Sequence, residues 1–238
     1  MSINKVNADT HSIITPAILY WGTPVVLIST LNPDSSTNIS PMSSAWWLGH
    51  RCMIGLNSTS QTTLNLLRTK ECVLNLPSDT MAPAVNALAR TTGRPDVPAH
   101  KTSWGYRHEP NKFTCANLTP QESDLVSPQR ILECPVQMEA KLIYSHEMMQ
   151  DLPDRKGAIY AFEVSILRTH IREELRMEGF ENRVDPDKWR PMFMSFQQLY
   201  GLADRKVESE LAKIEEEGYR AFTRSEVVKQ GGDMDTVG

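Results

Sequence analysis

Runs of apolar and β-branched residues in the first third of the chain indicate β-strands. The runs at 24–33, 51–57 and 71–77 are rich in Val, Ile and Leu, and each ends at Asn or Pro, which favour turns. A fourth run, 37–50, contains Pro41. Because proline cannot donate a hydrogen bond to a neighbouring strand, this run predicts a sheet edge or a bulge.

Two longer strands are predicted in the second half of the chain, at 130–149 and 158–171. Apolar and polar residues alternate from Leu132 to Met138, and a period of two is typical of a strand that is buried on one face. Strands and helices do not alternate regularly. The pattern therefore favours a mainly β, mostly antiparallel barrel with peripheral helices over a parallel sheet.

Helical spacing is present at 62–69 and, in a charged region, at 205–222. The second predicted helix carries a narrow apolar stripe at positions i, i+4 and i+7, formed by Val207, Leu211 and Ile214. This stripe fits a surface helix docked on the core and a subunit contact equally well.

The middle of the chain contains a long insertion at about 78–112. A short helix is predicted at 81–90, and the following stretch, 91–112, is rich in Pro, Gly and aromatic residues. Loops of this length are often functional lids or contact segments. We expect one domain over 1–204 that includes this insertion, followed by a C-terminal helix and a frayed tail over 205–238.

Composition and charge exclude some classes of partner. The 238 residues are 40% hydrophobic and 23% charged, with a formal net charge of −4, which is typical of a globular protein. A mildly acidic chain lacks the basic surface that nucleic acids require, so we expect no nucleic-acid partner. No apolar leader or membrane-length stretch is present, and we expect a cytoplasmic protein that does not bind membranes.

The four cysteines are spaced widely and irregularly, at Cys52, Cys72, Cys115 and Cys134. Because there is no CxxC pair, the spacing argues against a zinc ribbon and against a thioredoxin-like motif. We expect free and mostly buried thiols in a reducing compartment.

A polar run, NSTSQTT at 57–63, leads directly into the helix predicted at 62–69. It contains five hydroxyls and two amides, which is more than helix capping requires. Helix N-termini carry unpaired N–H groups and a partial positive charge, and they bind phosphate readily. The run therefore favours a phosphate site over a simple solvated cap, although neither a GxxxxGK[ST] nor a GxGxxG motif is present.

A second polar stretch, 38–49, combines small residues around Pro41 with two tryptophans. An interrupted strand edge leaves backbone N–H and C=O groups free to bind the rim of a flat heterocycle. Trp46 and Trp47 should point to opposite faces of a strand, where either one could contact a planar cofactor or simply pack in the core. A strand of this kind before a phosphate site suits a phosphorylated, flat ligand.

Other polar residues give weaker signals. His170 lies at a predicted strand end and is interpreted as structural, and the pair Glu173–Glu174 as solvated. Three further histidines show no metal-ligand spacing with other residues: His100, His108 and His146. We assign no metal ligand and no catalytic residue, because no nucleophile motif is present.

Several of these stretches resemble the flavin reductase-like family, the FMN-binding split barrels that include flavoredoxins and reductase components of two-component oxygenases. The most specific stretch is 112–142, with Lys-Phe, Leu-Thr-Pro, Pro-x-Arg-Ile, Glu-Cys-Pro-Val and Glu-Ala in this order. The resemblance also includes 22–32, 37–49, 164–176 and 190–202. It therefore extends over most of the chain, from about Thr23 to Leu202.

The resemblance implies a six-stranded antiparallel Greek-key split barrel with peripheral helices, usually a homodimer with FMN at the subunit interface. FAD is the alternative flavin, NAD(P)H would be the hydride donor, and an oxygenase is a potential partner. By position, one set of residues would contact the flavin ring: Asn38, Pro41, Met42, Ser43, Ser44, Ala45 and Trp46. A second set would bind the ribityl phosphate: Asn57, Ser58, Thr59, Ser60, Gln61, Thr62 and Thr63.

This resemblance also implies an activity. Flavin takes up a hydride from NAD(P)H, while the protein supplies orientation and a tuned redox potential. Family members often have a cationic residue at the position of Gln61, so phosphate contacts here would come from neutral donors. The 91–112 stretch, with Trp104 and Tyr106, is expected to cover the cofactor or to enter a partner's site. Two alternatives stay open on the same barrel: a non-catalytic flavin-storage protein, and a binder of haem or of flavin breakdown products.

Overall fold

The computed structural model describes residues 11–219. Its strands are β1 (Trp21–Pro24), β2 (Val26–Leu31), β3 (Thr37–Met42), β4 (Ala45–Leu48), β5 (Arg51–Asn57), β6 (Glu71–Leu76), β7 (Thr91–Thr92), β8 (Arg107–His108), β9 (Pro120–Gln121), β10 (Arg130–Ile131), β11 (Val136–Glu147), β12 (Ile159–Ile171), β13 (Met192–Ser195) and β14 (Gln198–Gly201). Its α-helices are α1 (Gln61–Thr69), α2 (Ala82–Ala89), α3 (Ala99–Ser103) and α4 (Lys112–Cys115). Short 3₁₀ turns occur at Asp79–Met81, Glu173–Leu175, Glu210–Lys213 and Glu216–Tyr219.

Seven antiparallel strands form the main sheet, in the order β3-β2-β6-β11-β12-β5-β4. The resemblance implied six strands, one fewer than the seven observed. The expectation of an edge strand around Pro41 is confirmed, because β3 pairs only with β2 and ends the sheet. Three smaller sheets accompany it in the described residues, and the largest of these has the order β1-β13-β14.

The main sheet is strongly curled. A flat sheet of seven strands would place its two edges about 29 Å apart, at roughly 4.8 Å per strand spacing. The edge strands β3 and β4 are consecutive in the chain, however, and the three peptide units from Met42 to Ala45 reach at most about 11 Å. The two edges therefore approach one another at Ser43 and Ser44, and the sheet encloses a core.

Buried apolar side chains fill the two faces of this curl. Val26 and Ile28 of β2 pack inside it with residues of β5, β6 and β12, such as Ile54, Leu74 and Phe162. Leu27, between the two inward residues of β2, packs outside with helix α2. The alternation follows the strand period of two, so opposite faces of the same strand serve two separate cores.

Some predicted elements need correction. The strand expected from residue 130 is interrupted: β10 ends at Ile131, a turn follows, and β11 begins at Val136. Pro135 lies in this turn, and the backbone N–H of Cys134 bonds to the carbonyl of Ile131, so the alternation from Leu132 is not that of a strand.

The prediction of a helix at 205–222 is also wrong over residues 205–219, which the structure describes. The described residues form only the two 3₁₀ turns at Glu210–Lys213 and Glu216–Tyr219, and residues 220–222 lie outside the described part. The predicted stripe of Val207, Leu211 and Ile214 is exposed. Short (i, i+4, i+7) stripes without a packing partner do not stabilise a helix.

All four cysteines are free, and Cys52, Cys72 and Cys134 are buried as expected. Burial raises the pKa of the Cys52 thiol to about 12, which keeps it protonated. None of the helices in residues 11–219 combines the length and the apolar character needed to cross a membrane.

Candidate functional site

Helix α1 begins with an extensively hydrogen-bonded turn. The Ser60 hydroxyl accepts a bond of 3.1 Å from the backbone N–H of Thr63, and the Thr63 hydroxyl donates to the carbonyl of Asn57 at 2.8 Å. The side-chain carbonyl of Asn57 accepts bonds from the backbone N–H and the hydroxyl of Thr59. Three of the five hydroxyls expected at a phosphate site therefore also stabilise the turn, and capping uses more of the run than its sequence suggested.

Buried amides hold α1 against the sheet. Asn65 donates from its side chain to Thr30 at 3.2 Å and to Asn32 at 2.8 Å, while its carbonyl oxygen accepts from Gln61. The side chain of Asn38, on β3, donates to the hydroxyl of Thr62 at 3.2 Å. Because these groups are buried and paired, they fix the helix N-terminus relative to the edge strand.

A cavity of about 140 Å³ lies between β3, the end of β5, the N-terminus of α1 and residues 89–112, which we call the covering segment. Half of the fourteen predicted site residues line it: Asn38, Pro41, Met42, Asn57, Ser60, Gln61 and Thr62. The covering segment contributes a second group: Ala89, Thr91, Thr92, Gly93, Lys101, Tyr106 and Lys112. The structure thus brings the two predicted polar stretches together, as the interpretation of a phosphorylated flat ligand requires.

The other predicted residues lie around this cavity without lining it. Ser43 and Ser44 form the link between the sheet edges, and the Ser44 hydroxyl bonds to the hydroxyl of Tyr20 at 2.7 Å. Ala45 is part of the inner core. Trp46 is 56% exposed, whereas Trp47 packs against the inner core. The last three belong to the capped turn: Ser58, Thr59 and Thr63.

One buried acceptor faces the cavity without a donor. The side-chain carbonyl oxygen of Asn38, a residue that is only 2% exposed, receives no hydrogen bond from any described residue. Gly93 lies against it, since a Cβ at Gly93 would come within 2.4 Å of this oxygen. An unpaired buried acceptor is unfavourable, so Asn38 favours a ligand that carries an N–H or O–H donor.

Lys112 brings a buried positive charge to the same cavity. Its side chain is almost fully buried, and its ammonium donates to the backbone carbonyl of Ile39 at 2.8 Å. No carboxylate of residues 11–219 lies within 4.0 Å of it. Burial, the largest effect, lowers the pKa of Lys112 to about 8. A buried ammonium with unused donors favours an anionic ligand.

Two further cations were missed by sequence reasoning. Arg94 donates to the backbone carbonyl of Thr59 at 3.1 Å, and Lys101 lines the cavity. Both come from the covering segment and lie more than thirty residues beyond the polar run. The basic residues are visible in the sequence, but only the docking of the covering segment places them beside α1. Cationic side chains therefore lie near the start of α1 in addition to the neutral donors that the sequence predicted there.

The covering segment agrees only in part with its predicted role. Tyr106 lines the cavity, whereas Trp104 is largely exposed and packs edge-on against His100. Pairing of the short strands β7 and β8 closes the loop between Thr91 and His108. The segment thus covers the cavity by its backbone and its cations more than by its tryptophan.

A separate cluster of Asp124, Glu139 and His170 has the composition of a metal site. The Glu139 carboxylate already accepts bonds from the backbone N–H groups of residues 124–126 and from His170 at 2.7 Å. Arg168 binds Asp124 at 2.6 Å. Because these oxygens are occupied and a guanidinium lies beside them, the cluster acts as a clamp for the 124–126 loop. This agrees with the structural interpretation of His170.

Comparisons with known proteins agree with this geometry. A family model described as a flavin reductase like domain matches residues 20–178. The chain is 37% identical over 202 residues to the uncharacterized protein YdfE of Bacillus subtilis (strain 168), covering 85% of this chain and 94% of that protein.

Two solved structures share the fold of this chain. Flavoredoxin of Desulfovibrio vulgaris (Miyazaki F) has a TM-score of 0.67 and 18% identity, covering 85% of this chain and 98% of the other. Nitrilotriacetate monooxygenase component B from Bacillus cereus has a TM-score of 0.63 and 17% identity, covering 87% and 100%.

Proposed function

This chain belongs to the flavin reductase-like family, and from this premise we propose that it is an FMN-binding oxidoreductase of the flavin reductase type. In this proposal NAD(P)H supplies a hydride to bound FMN, and the electrons pass to free flavin or to another small acceptor. FAD is the alternative flavin. The flavin supplies the redox chemistry, and the chain supplies binding, orientation and electrostatic tuning.

The observation that carries the proposal is the cavity that joins edge strand β3 to the N-terminus of α1. Helix α1 offers N–H groups and a partial positive charge, which suit a phosphate. Ser60, Gln61 and Thr62 would bind this group. Strand β3 offers the unpaired oxygen of Asn38, which suits a ribityl hydroxyl or a ring N–H. A phosphorylated flavin carries both kinds of group.

Lys112 would contribute charge on the β3 side of the cavity. Its ammonium is held by the carbonyl of Ile39, so its position is fixed before any ligand binds. A fixed cation near a flavin ring favours the reduced, anionic form of the ring and raises its reduction potential. Near the phosphate end it would instead strengthen binding of the phosphorylated form. In both positions it favours an anion.

The cavity supports a site completed by a second copy of the chain. Cofactor pockets usually enclose roughly 300–1,000 Å³, whereas this cavity encloses about 140 Å³. Part of a flavin would therefore project from a single chain. Beside the seam at Ser43 and Ser44, where the two sheet edges approach, the exposed side chains of Trp21, Trp46 and Leu48 lie on the neighbouring strands β1 and β4. We propose that they contact a second subunit in a homodimer.

The proposal includes more than one acceptor for the electrons of the reduced flavin. One structural relative is, by name, a component of nitrilotriacetate monooxygenase. A reductase that passes reduced flavin to a separate oxygenase fits this chain equally well, because the shallow cavity leaves a bound flavin accessible. Stopped-flow measurement of the transfer of reduced flavin to an added oxygenase is the second experiment, after reduction of the flavin by NAD(P)H has been measured.

Anaerobic titration of the FMN-loaded protein with NADH and, separately, NADPH tests the proposal. Rapid loss of the flavin absorption band with one nucleotide would support it and identify the donor. A flavin band that neither nucleotide bleaches would instead support the non-catalytic flavin-storage protein. Protein that takes up no FMN, or that binds haem in its place, would contradict the proposal.

A further inference from the structure

Two basic residues of the covering segment lie beside the start of α1: Arg94 contacts the turn before the helix, and Lys101 lines the cavity that the helix start also lines. Arg94 donates through Nη1 to the backbone carbonyl of Thr59 at 3.1 Å, in the turn directly before the helix. Its other terminal nitrogen lies 3.7 Å from the carboxylate of Asp96, whose side chain is almost fully exposed to water. Solvent screens such a contact strongly, so Asp96 neutralises little of the Arg94 charge.

Lys101 lines the cavity and has no anionic partner. No carboxylate in the described part of the chain lies within 4.0 Å of its ammonium, and its closest recorded contact is the ring of Tyr106, with 5.7 Å between the ammonium and the ring centroid. Partial burial, followed by the charge of Arg94, lowers the pKa of Lys101 below its ordinary value. Two like charges are thus held near each other, and in residues 11–219 only the exposed, solvent-screened carboxylate of Asp96 contacts either of them.

An unpaired acceptor on a lining residue of the same cavity gives independent support for a ligand site. The side-chain oxygen of Asn38 is buried and receives no hydrogen bond from any residue in the 11–219 range. The buried ammonium of Lys112 also lines this space. The N-terminus of α1, Lys101, Lys112 and Asn38 therefore line one cavity. Arg94 lies beside this cavity, on the turn before the helix.

We infer that Arg94 and Lys101, together with the N-terminus of α1, recognise the dianion of a phosphate monoester and make the site select phosphorylated over unphosphorylated flavin. This inference rests on the proposed function and extends it to the choice of ligand. A phosphate monoester carries about −1.5 to −2 charges at pH 7. Two cations and a helix terminus match that charge, whereas riboflavin would leave Lys101 without an anionic partner and Arg94 with only the exposed carboxylate of Asp96.

The arrangement also explains the neutral residues at the helix start. Gln61 and Thr62 supply hydrogen bonds without charge, and the covering segment supplies the charge from the opposite side of the cavity. Gly93 permits this, because its close contact with Asn38 and Gln61 lets the backbone before Arg94 approach the helix. Charge recognition therefore depends on the docked position of the covering segment.

The test compares FMN, riboflavin and inorganic phosphate as ligands. FMN and riboflavin affinities are measured by quenching of flavin fluorescence, and phosphate binding by calorimetry against a chloride control. The variants are Lys101→Gln, Arg94→Gln and the charge-retaining Arg94→Lys. Lys156→Gln is the matched control, because it removes one positive charge from an exposed position in the β11–β12 connection. Circular dichroism confirms that each variant is folded.

Loss of a charge-assisted contact predicts FMN binding that is about tenfold to a hundredfold weaker in Lys101→Gln and in Arg94→Gln. Riboflavin affinity should change by less than about threefold, and Arg94→Lys and Lys156→Gln should bind FMN almost as the wild type does. Inorganic phosphate should compete with FMN and bind the two neutral variants more weakly. Equal weakening of FMN and riboflavin, or no weakening of either, would overturn the inference.

The two proposals fail in different ways. If the wild type binds inorganic phosphate through Arg94 and Lys101 but binds no flavin, phosphate recognition stands and the flavin function falls. If it binds FMN and riboflavin equally and ignores phosphate, the flavin function stands and the inference falls. A wild type that binds none of the three ligands would overturn both.

Discussion

A buried lysine with no carboxylate within 4.0 Å in residues 11–219 is the residue that most strongly requires a ligand. Lys112 is only 3% exposed, and its one recorded hydrogen bond is to a neutral carbonyl. Burial lowers its pKa from 10.5 to about 8. The folded chain therefore binds this proton less tightly than the unfolded chain does, and the charge destabilises the fold below pH 8. Residues with this property are frequent at functional sites.

Replacement Lys112→Met should separate stability from binding. The destabilisation is greatest below pH 8 and disappears as pH rises from 8 towards 10.5, so wild-type stability should increase across that range by up to about 3 kcal/mol. The methionine variant should be more stable than the wild type at pH 7, lack this increase, and bind FMN at least tenfold more weakly. Urea unfolding at pH 7 and pH 9.5, with FMN titration, measures both. Unchanged FMN affinity would remove Lys112 from the site.

Gly93 sets how closely the covering segment approaches β3. A Cβ at this position would lie 2.4 Å from the side-chain oxygen of Asn38 and 3.0 Å from the Cγ of Gln61. Replacement Gly93→Ala should therefore displace the segment, destabilise the protein by about 1–3 kcal/mol and weaken FMN binding. The double variant with Asn38→Ala removes the clash, so a double-mutant cycle should show coupling above 0.5 kcal/mol. Additive effects would mean that the two residues do not touch.

At the scale of elements, helix α1 is positioned by one buried amide network. Asn65 links the helix to Thr30 and Asn32 of the β2–β3 hairpin and to Gln61 at its own N-terminus. Replacement Asn65→Ala should destabilise the fold by about 2–3 kcal/mol, because buried partners lose their hydrogen bonds. Leu64→Ala, on the exposed face of the same helix, is the control and should cost less than 1 kcal/mol. Equal urea midpoints for both would contradict the network.

The clamp on the 124–126 loop predicts an acid sensitivity. Burial raises the pKa of Glu139, but the backbone N–H of Asp124, the bond from His170 and the backbone N–H of Leu125 outweigh this effect and hold its pKa below the ordinary value. A lowered pKa means that the carboxylate stabilises the fold above about pH 4.5 and that this contribution is lost as pH falls through the folded-state pKa. Urea unfolding between pH 6 and pH 3.5 should show a smaller decrease in stability for Glu139→Gln than for the wild type. Equal decreases in the free energy of unfolding of the wild type and of Glu139→Gln would contradict the clamp.

Sequence reasoning succeeded where local chemistry decides structure. The start of α1 in the polar run and the edge position of Pro41 follow from local sequence, and both are present. It failed where a short periodic pattern lacked a packing partner, as at Leu132 and along Val207 to Ile214. Periodicity predicts a strand or helix only when another element covers the apolar face.

At the scale of the whole molecule, the curl of the main sheet builds the site. The curl brings β3 against the end of β5 and places helix α1 over both, so two polar stretches separated by a strand meet in one cavity. The order of the motifs in the sequence predicted that these two stretches meet. The positions of Arg94, Lys101 and Lys112 could not be predicted from the sequence, because the docking of a long covering segment depends on tertiary contacts such as that of Gly93 with Asn38.

The exposed seam gives the proposed homodimer a direct test. Trp46 and Leu48 of β4 and Trp21 of β1 are large, apolar and exposed. Replacement of Trp46 and Leu48 by serine should convert a dimer into a monomer in light scattering after size exclusion, and should weaken FMN binding without unfolding the chain. The matched control is Leu152→Ser, at an exposed position in the β11–β12 connection. A wild-type monomer at micromolar concentration would contradict the homodimer.

The central claim is that a phosphorylated flavin occupies the cavity between β3, α1 and the covering segment. The most direct measurement is a crystal structure of the wild-type protein with FMN. The account predicts that the phosphate lies at the N-terminus of α1, within hydrogen-bond distance of the Ser60–Thr62 region and of Lys101, and that the flavin contacts Asn38. A structure in which FMN binds elsewhere, or in which its phosphate points away from α1, would contradict it.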